Sequence, residues 1–452
     1  MLIRFILDNY LSFGDQSEFN LLSGRQTRLN HHQYKFNDVE ILKMSAVYGA
    51  NGAGKSNFIK GIKTLKEIVL SGTLPTGIFN SRFKLDKENK ERGILLGVEF
   101  ISQETPFLYA VEIDNGRIEK EELYISGLGQ QENSIVFERT KDNEGINRVR
   151  FSKEFDKTDE GKLLRKLITK SYKKSNKPFI HILHELEHSL LDEINKAYHW
   201  FQNRLYIVQP DIQAAALVHK FKTDSDFQKF TTDLICSFQT GINNIQTESQ
   251  NLKDFLGENE TTDSQEIEEI LKENPDQMVG LRSKNEEIIV TNEDNNILTH
   301  RLYFNHSGQD EDAKFYVNEE SDGTQRLLDY IPAFKGIIEN DNVFIIDEIE
   351  RSIHPLIVKE LLRKFSEQED TKGQIVFTTH ESNLLDQDIF RQDEIWFTEK
   401  DEFGKSHMYP LSDFKEHHTL DIQKGYLDGR YGAIPFLGNL RDLKWGETNA
   451  SE

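Results

Sequence analysis

The sequence predicts an α/β fold: a mixed sheet with a flanking antiparallel sheet, interrupted by a helical insertion. Three observations carry that expectation. A strand–loop–helix pattern surrounds the run Gly49-Ala50-Asn51-Gly52-Ala53-Gly54-Lys55-Ser56. Short strand-like runs crowd the stretch from about 94 to 151. The last 150 residues alternate strand and helix signals, as a parallel sheet with crossovers requires. The expected divisions are a first lobe over 1–155, a helical insertion over 156–284 and a second lobe over 285–452.

The first run fits G-x-x-x-x-G-K-[ST] without a mismatch. Apolar Met44, Ala46 and Val47 predict a strand entering it, and Asn57 to Ile62 predict a helix leaving it. Glycines allow backbone N–H groups to turn inward around phosphate oxygens, and the helix N-terminus adds partial positive charge. Lys55 is the candidate ligand of β- and γ-phosphates, and Ser56 of Mg²⁺.

Upstream, Leu2–Leu7 and Glu18–Leu22 read as strands around a turn at Gly14-Asp15, and 31–43 as a connector. Downstream, the candidate strands are Ile94–Phe100, Phe107–Asp114, Ile118–Ile125, Ile135–Phe137 and Val149–Phe151. Asn115-Gly116 between two of them is a hairpin signal. Lys162–Tyr172, Phe179–Trp200, Asp226–Phe238 and Ser264–Lys272 read as helices. Leu190, Ile194, Ala197 and Phe201 mark one apolar face. The polar stretch 247–262 reads as an exposed loop, and strands resume at Glu287–Val290 and Leu298–Phe304.

Val343-Phe344-Ile345-Ile346 followed by Asp347-Glu348 suits a strand buried on both faces with two acids at its carboxyl end. There Asp347 is placed to support Mg²⁺ and Glu348 to orient an attacking water. Ser321-Asp322-Gly323-Thr324 opens another helical pattern, an anion-binding N-terminus or an ordinary N-cap. Gln374 to Thr379 reads as a further buried strand ending in His380, a candidate hydrogen-bond partner of a γ-phosphate.

The ordered set GANGAGKS, ESDGT, VFIIDE, ERSIHP and TTH resembles the ABC-type ATPase heads of the SMC/Rad50 class. Within it the chain resembles the OLD-like AAA ATPases of bacterial anti-phage and abortive-infection systems, of the RloA/AbiL type and AriA of PARIS. The opening FILDNYLSFGDQSEFNLLSG and the closing GRYGAIPFLG, Gly429–Gly438, extend that resemblance to both ends. It implies an ABC-type head that binds ATP with Mg²⁺. Gly49, Ala50, Asn51, Gly52, Ala53, Gly54, Lys55, Ser56 and the adjoining Asn57 would form Walker A. Ser321, Gly323 and Thr324 would belong to a signature motif completing the site of a second subunit. Asp347 and Glu348 would be Walker B, Glu350 to His354 the D-loop and His380 the switch histidine; Lys55, Glu348 and His380 would be catalytic. Gln130 and Gln209 are the candidates for a Q-loop glutamine. The resemblance further implies an ATP-bridged homodimer or higher oligomer, and a separate toxin or nuclease effector. A nucleic-acid-clamping repair ATPase is the rival reading.

Composition narrows the setting. A net charge of −22 opposes chain-wide attraction to nucleic acid, although Lys170, Lys173, Lys174 and Lys177 form a local basic cluster, read as a solvated loop. Cys236 is the only cysteine, which suits a cytoplasmic setting. No apolar run spans a membrane and Met1–Leu7 lacks signal-peptide features, so no membrane partner is expected. The chain stops shortly after the expected ATPase core, so a C-terminal Toprim nuclease domain of the OLD kind is not expected. His184-Glu185-Leu186-Glu187-His188 matches H-E-x-x-H with His181 nearby, but a solvated helix face explains it. Arg391, Glu394 and His407 are weighed as a metal-free ribonuclease trio, with structural roles preferred.

Overall fold

The computed structural model describes residues 1–26, 28–211, 214, 216–238, 240–257, 262–282, 286–414 and 421–434. The chain divides into two compact units. The first comprises 1–207, 345–348 and 374–452, and the second 208–344 and 349–373.

The first unit begins with β1 (Leu2–Asp8), β2 (Ser17–Asn20), β3 (Gln33–Phe36), β4 (Val39–Leu42) and β5 (Met44–Tyr48). Helices α1 (Lys55–Ser71) and α2 (Lys87–Glu91) follow, then β6 (Ile94–Ser102), β7 (Thr105–Asp114), β8 (Arg117–Ile125), β9 (Ser134–Lys141) and β10 (Asn147–Phe151). Next come α3 (Asp159–Ser171), α4 (Phe179–His184), α5 (Asp192–Asn203) and β11 (Leu205–Val208). The second unit holds α6 (Leu217–Thr223), α7 (Ser225–Ser237), β12 (Ile242–Asn251), α8 (Leu252–Leu256) and α9 (Thr262–Glu273). It continues through β13 (Met278–Arg282), β14 (Glu287–Glu293), β15 (Asn296–His306), β16 (Ala313–Tyr316) and α10 (Asp322–Glu339). The chain crosses between units within β17 (Val343–Ile346), forms α11 (Pro355–Ser366) in the second, and returns for β18 (Gln374–Thr379), β19 (Ile395–Lys400), β20 (Ser406–Pro410) and α12 (Ile422–Leu427).

A seven-stranded antiparallel sheet runs in the order β10-β9-β8-β7-β6-β1-β2. Asn115 and Gly116 turn β7 into β8, both with φ positive (48° and 71°), which suits the right-handed twist of the hairpin. A six-stranded sheet runs in the order β11-β17-β18-β5-β19-β20. Its central members β18, β5 and β19 are parallel, and β20 closes the edge antiparallel to β19. Both acid-bearing and phosphate-loop strands are buried at every position because this sheet is covered on both faces. Helix α1 packs through Phe58, Ile59, Ile62, Leu65, Ile68 and Val69, a three-to-four-residue repeat. The rings of Phe5 and Phe19 meet Phe58 at 5.9 and 5.0 Å, so α1 locks onto β1 and β2. The buried amide of Gln374 joins the two sheets: it accepts from Leu2 N at 2.7 Å and donates to the Leu2 and Leu42 carbonyls at 3.0 and 2.8 Å.

Some expectations change. Residues 31–43 are a hairpin, β3 paired with β4, rather than a connector. The stretch expected to be helical carries α3 to α9 but also three strands, β11, β12 and β13. Part of the expected 247–262 loop is strand: β12 pairs with β15 from Ile242 to Asn251, which satisfies the backbone of this polar run. The second unit's five-stranded sheet has the path β12-β15-β14-β13, with β16 added to β15. The single helix expected over Phe179–Trp200 is broken. Helix α4 stops at His184, Glu187 takes φ 45°, and His188 caps the turn before α5.

The start of α4 rests on a buried ion pair. Glu121 accepts from Phe179 N and Ile180 N at 2.7 and 2.9 Å, and its Oε2 lies 3.0 Å from Arg139 Nη2 with neither side chain exposed. Glu121→Ala leaves the guanidinium buried without its carboxylate and two helix N–H groups without an acceptor. It is expected to cost about 3–5 kcal/mol, read from urea unfolding. A loss below about 1 kcal/mol would show that the pair is dispensable.

Candidate functional site

Parallel pairing sets the geometry. Thr379 lies opposite Tyr48 on one side of β5 and Phe397 opposite Tyr48 on the other, so β18 and β5 end level while β19 runs on to Lys400. The Gly49–Ser56 loop leaves β5 at that carboxyl edge, where ligands of open α/β sheets bind, and His380 follows β18 beside Gly49. A Cβ at Gly49 would sit 2.4 Å from the Thr398 carbonyl oxygen, so only glycine lets the loop pass β19. Gly54 takes φ 126°, and a Cβ there would sit 2.4 Å from Ser406 Oγ. These two contacts explain why the spacing demands glycine there. Lys55 opens α1, is 7% exposed, and donates to the Gly49 and Ala50 carbonyls at 2.5 and 3.2 Å. Its ammonium is thereby folded over the loop, at the place where the positive end of α1 points.

The acids of β17 meet this loop. Ser56 Oγ donates to Asp347 Oδ1 at 3.3 Å, and Thr378 Oγ1 donates to the same oxygen at 2.5 Å. Thr378 Oγ1 in turn accepts from Glu348 N at 2.9 Å. Asp347 is 4% exposed, whereas Glu348 is half-buried. Glu348 takes φ 52°, a left-handed conformation that costs an L-residue roughly 1–2 kcal/mol. The bond from its N–H to Thr378 helps hold it there. Asn57 donates to Ser12 Oγ at 2.8 Å, and Ser406 Oγ lies 2.7 Å from Ser12 Oγ and donates to the Ala53 carbonyl at 2.6 Å. This polar bed fixes the loop from below.

Ser56 and Asp347 present two hard oxygens side by side, the donor set Mg²⁺ takes when phosphates and water complete its octahedron. That fits the cation the sequence implies without an all-protein cage, and among the described residues no three His, Cys, Asp or Glu side chains are grouped as a metal site. The same holds for H-E-x-x-H. His181 Nδ1 lies 3.0 Å from the Val69 carbonyl and His184 Nδ1 lies 2.8 Å from Asn195 Oδ1, while His188 sits beyond the helix end, 3.2 Å from Glu160. Its two histidines therefore do not share a helix face.

Arg391, Glu394 and His407 are not assembled as a site. Arg391 holds Asp393 through Nε and Nη2 at 2.9 and 2.8 Å. Glu394 lies 2.9 Å from His32 Nδ1 and accepts from Arg391 N; burial pushes its carboxyl above the usual range. His407 faces Asp401 at 3.2 Å. Arg391 and Glu394 tie the segment from Ser23 to His32 to the start of β19, and His407 and Asp401 brace the β19–β20 hairpin.

In the second unit, Ser321 is exposed and caps α10, accepting from Thr324 N at 3.2 Å. A Cβ at Gly323 would sit 2.9 Å from the Ser352 carbonyl oxygen, so this N-terminus packs against the Glu350–His354 stretch. Tyr330 donates to the Ile349 carbonyl at 3.0 Å, its phenol pushed up to about 12 by burial. Gln209 lends its carbonyl to Arg326 at 3.2 Å, and Gln130 bonds through its backbone to Gly127. Of the closing run Gly429–Gly438, residues 435–438 lie outside the described residues.

Residues 44–386 match the family described as "AAA domain, putative AbiEii toxin, Type IV TA system", which is well over half of the chain and includes the loop, both acids and His380. The chain is a member of this AAA-domain family. It is thus an AAA-type ATPase domain by family, with an α/β fold of mixed and antiparallel sheets. No curated protein matches the AAA-domain chain. Among solved structures, the SMC head domain from Thermotoga maritima is 13% identical to it, with 90% of this chain and 98% of that one covered at a TM-score of 0.37. The SmcHead bound to the C-winged helix domain of ScpA is also 13% identical, with 92% and 99% covered at a TM-score of 0.45. No helix of the described AAA-domain chain is long and apolar enough to cross a membrane.

Thr378 is the residue to which the sequence reading gave no role; its only signal was its place in the Thr378-Thr379-His380 run at the end of β18. If it positions the two acids, Thr378→Val is expected to lower ATP turnover about 10–100-fold and raise the Mg²⁺ requirement, with metal-free nucleotide binding kept within about threefold. Thr378→Ser is expected to restore most of the rate. Equal loss in both variants would refute that role.

Proposed function

We propose that this chain binds ATP with Mg²⁺ and hydrolyses it, and that the cycle gates an anti-phage response through a partner effector. The observation that carries the first part is the meeting of Ser56, Asp347, Thr378 and Glu348 beside the Lys55 loop. In this reading the loop N–H groups and Lys55 bind the phosphates, while Ser56 and Asp347 hold the cation. Bound Mg²⁺ would neutralise charge developing on the phosphates. Glu348 orients a water and accepts its proton, and His380 donates toward the γ-phosphate. Asn51 and Gly52, exposed at the loop tip, are open to solvent or to a second copy.

Ser321, Gly323 and Thr324 are assigned to the phosphate of a second copy, because Ser321 and Asp322 are exposed at the start of an 18-residue helix. ATP would then bridge an isologous homodimer, or pairs within a higher oligomer, and hydrolysis would release it. The wording of the family description, a putative toxin and a toxin–antitoxin system, supports the defence setting. A cytoplasmic location and an effector toxin or nuclease belong to the same reading.

Phosphate release from Mg-ATP by the purified chain tests the core of it, with EDTA as the control. Magnesium-dependent turnover is expected; neither nucleotide binding nor turnover would overturn the assignment. Coexpression with the native flanking genes tests the effector: a co-eluting toxin or nuclease whose activity follows the ATP state is expected, and full protection by the chain alone would refute it.

A further inference from the structure

The only long block of uncompensated positive charge among the described residues lies far in sequence from the nucleotide loop. Between Gly161 and Pro178 there are seven basic residues and no acid, in a chain of net charge −22. Lys162 and Arg165 are paired, with Asp159 at 3.0 Å and Asp156 at 2.8 Å. Lys166, Lys170, Lys173, Lys174 and Lys177 are exposed and belong to no ion pair. Like charges this close repel one another, so the cluster carries a cost unless an anion meets it.

The block is also held in place. Helix α3 carries Lys162, Lys166 and Lys170 one turn apart, about 6 Å per step. The segment after it is pinned to the seven-stranded sheet. Asn147 donates to the Tyr172 and Ser175 carbonyls at 2.8 and 2.9 Å, and Arg139 donates to the Lys177 carbonyl at 2.8 Å. Asn176 accepts from Ile118 N at 3.0 Å and from Lys141 Nζ at 3.1 Å. The lysines expected on a solvated loop are exposed, but Lys170 lies in α3 and the backbone under the others is bonded to the sheet, so together they form a ridge.

We propose that α3 and this ridge dock the phosphate backbone of a nucleic acid, without reading its sequence. A protein face interleaves its carboxylates with neutral and basic side chains, whereas a phosphodiester chain offers an unbroken line of charge to match five adjacent lysines. The free cations are all lysines, compact point charges that suit phosphate oxygens, and the one amide among them, Asn176, is committed to the sheet. The negative charge elsewhere is screened beyond about 8 Å at physiological salt, so it does not cancel a local ridge. Leu163 and Leu167, 60% and 53% exposed on the same helix, are the feature a protein partner would use instead, and the test must separate the two.

The test is fluorescence anisotropy of the nucleotide-free chain with a labelled 30-base-pair DNA and a 30-nucleotide RNA, from 50 to 200 mM salt. It does not involve the Lys55 loop, so its failure leaves the ATPase reading untouched. Binding with a log–log salt slope near −4.5 is expected on duplex DNA, about −0.9 for each of five lysines. Lys166→Glu/Lys170→Glu/Lys174→Glu should flatten that slope by about 2.7 and keep the wild-type circular dichroism, since these side chains are exposed and make no hydrogen bond or ion pair. Lys35→Glu/Lys87→Glu/Lys90→Glu, which changes the net charge equally, should change the slope by less than 1. The arm that binds more tightly identifies DNA or RNA. No binding at 50 mM, equal losses in both triple variants, or displacement by polyglutamate at matched charge would each overturn the proposal.

Discussion

Lys55→Ala is expected to weaken ATP binding about 100-fold and to abolish turnover. Lys55 is nearly buried, lies at the first position of α1 and reaches back to the Gly49 and Ala50 carbonyls. In the nucleotide complex those donors would turn to phosphate oxygens. A hydrogen bond to a charged group contributes about 1.5–3 kcal/mol, and each 1.4 kcal/mol is a factor of ten in affinity. Two such contacts thus correspond to about two decades or more. Lys55→Arg should not rescue binding, because a planar guanidinium does not fit a space shaped for a compact ammonium. Isothermal titration with a slowly hydrolysed ATP analogue gives the affinity, and a thermal melt confirms folding. A folded Lys55→Ala variant that binds within threefold of wild type would remove the loop from the site.

Glu348→Gln is expected to leave ATP affinity within a few-fold while lowering turnover by about 10²–10⁴, the usual range for loss of a general base. The substitution keeps side-chain length, and it leaves the backbone bond to Thr378 and the left-handed φ intact. Only proton acceptance from water is lost. With hydrolysis stalled, the ATP state should accumulate, and light scattering after size exclusion should show a dimer with Mg-ATP and a monomer without. A monomer in both conditions would argue against bridging by Ser321. Glu348→Gly would relieve the strained φ as well as remove the carboxylate, so it cannot separate these effects.

Much of the chemistry is legible in local runs because each piece obeys a local constraint. The phosphate loop needs glycine where a Cβ would strike Thr398 or Ser406, and lysine and serine where a helix begins. Four apolar residues before Asp347 report a strand covered on both faces, and Asn115-Gly116 reports a positive-φ turn. Helix α4 shows the limit. The sequence suggested one helix over Phe179–Trp200, but Glu121, 58 residues upstream, accepts the N–H of Phe179 and fixes where α4 begins. Eight residues further on the chain turns at Glu187.

The sequence by itself determined the phosphate loop, the acid-tipped strand and the α/β class, since spacing and hydrophobic pattern act between near neighbours. The alignment of Ser56 with Asp347, 291 residues apart, and the hold of Thr378 on both acids came only with the tertiary structure. So did the bed of Ser12 and Ser406 beneath the loop and the exposure of the α3 lysines. The physical reason is that a hydroxyl or an ammonium carries no pattern of its own. Its role is set by which strands the folded sheet brings alongside it, and by what the fold leaves facing water.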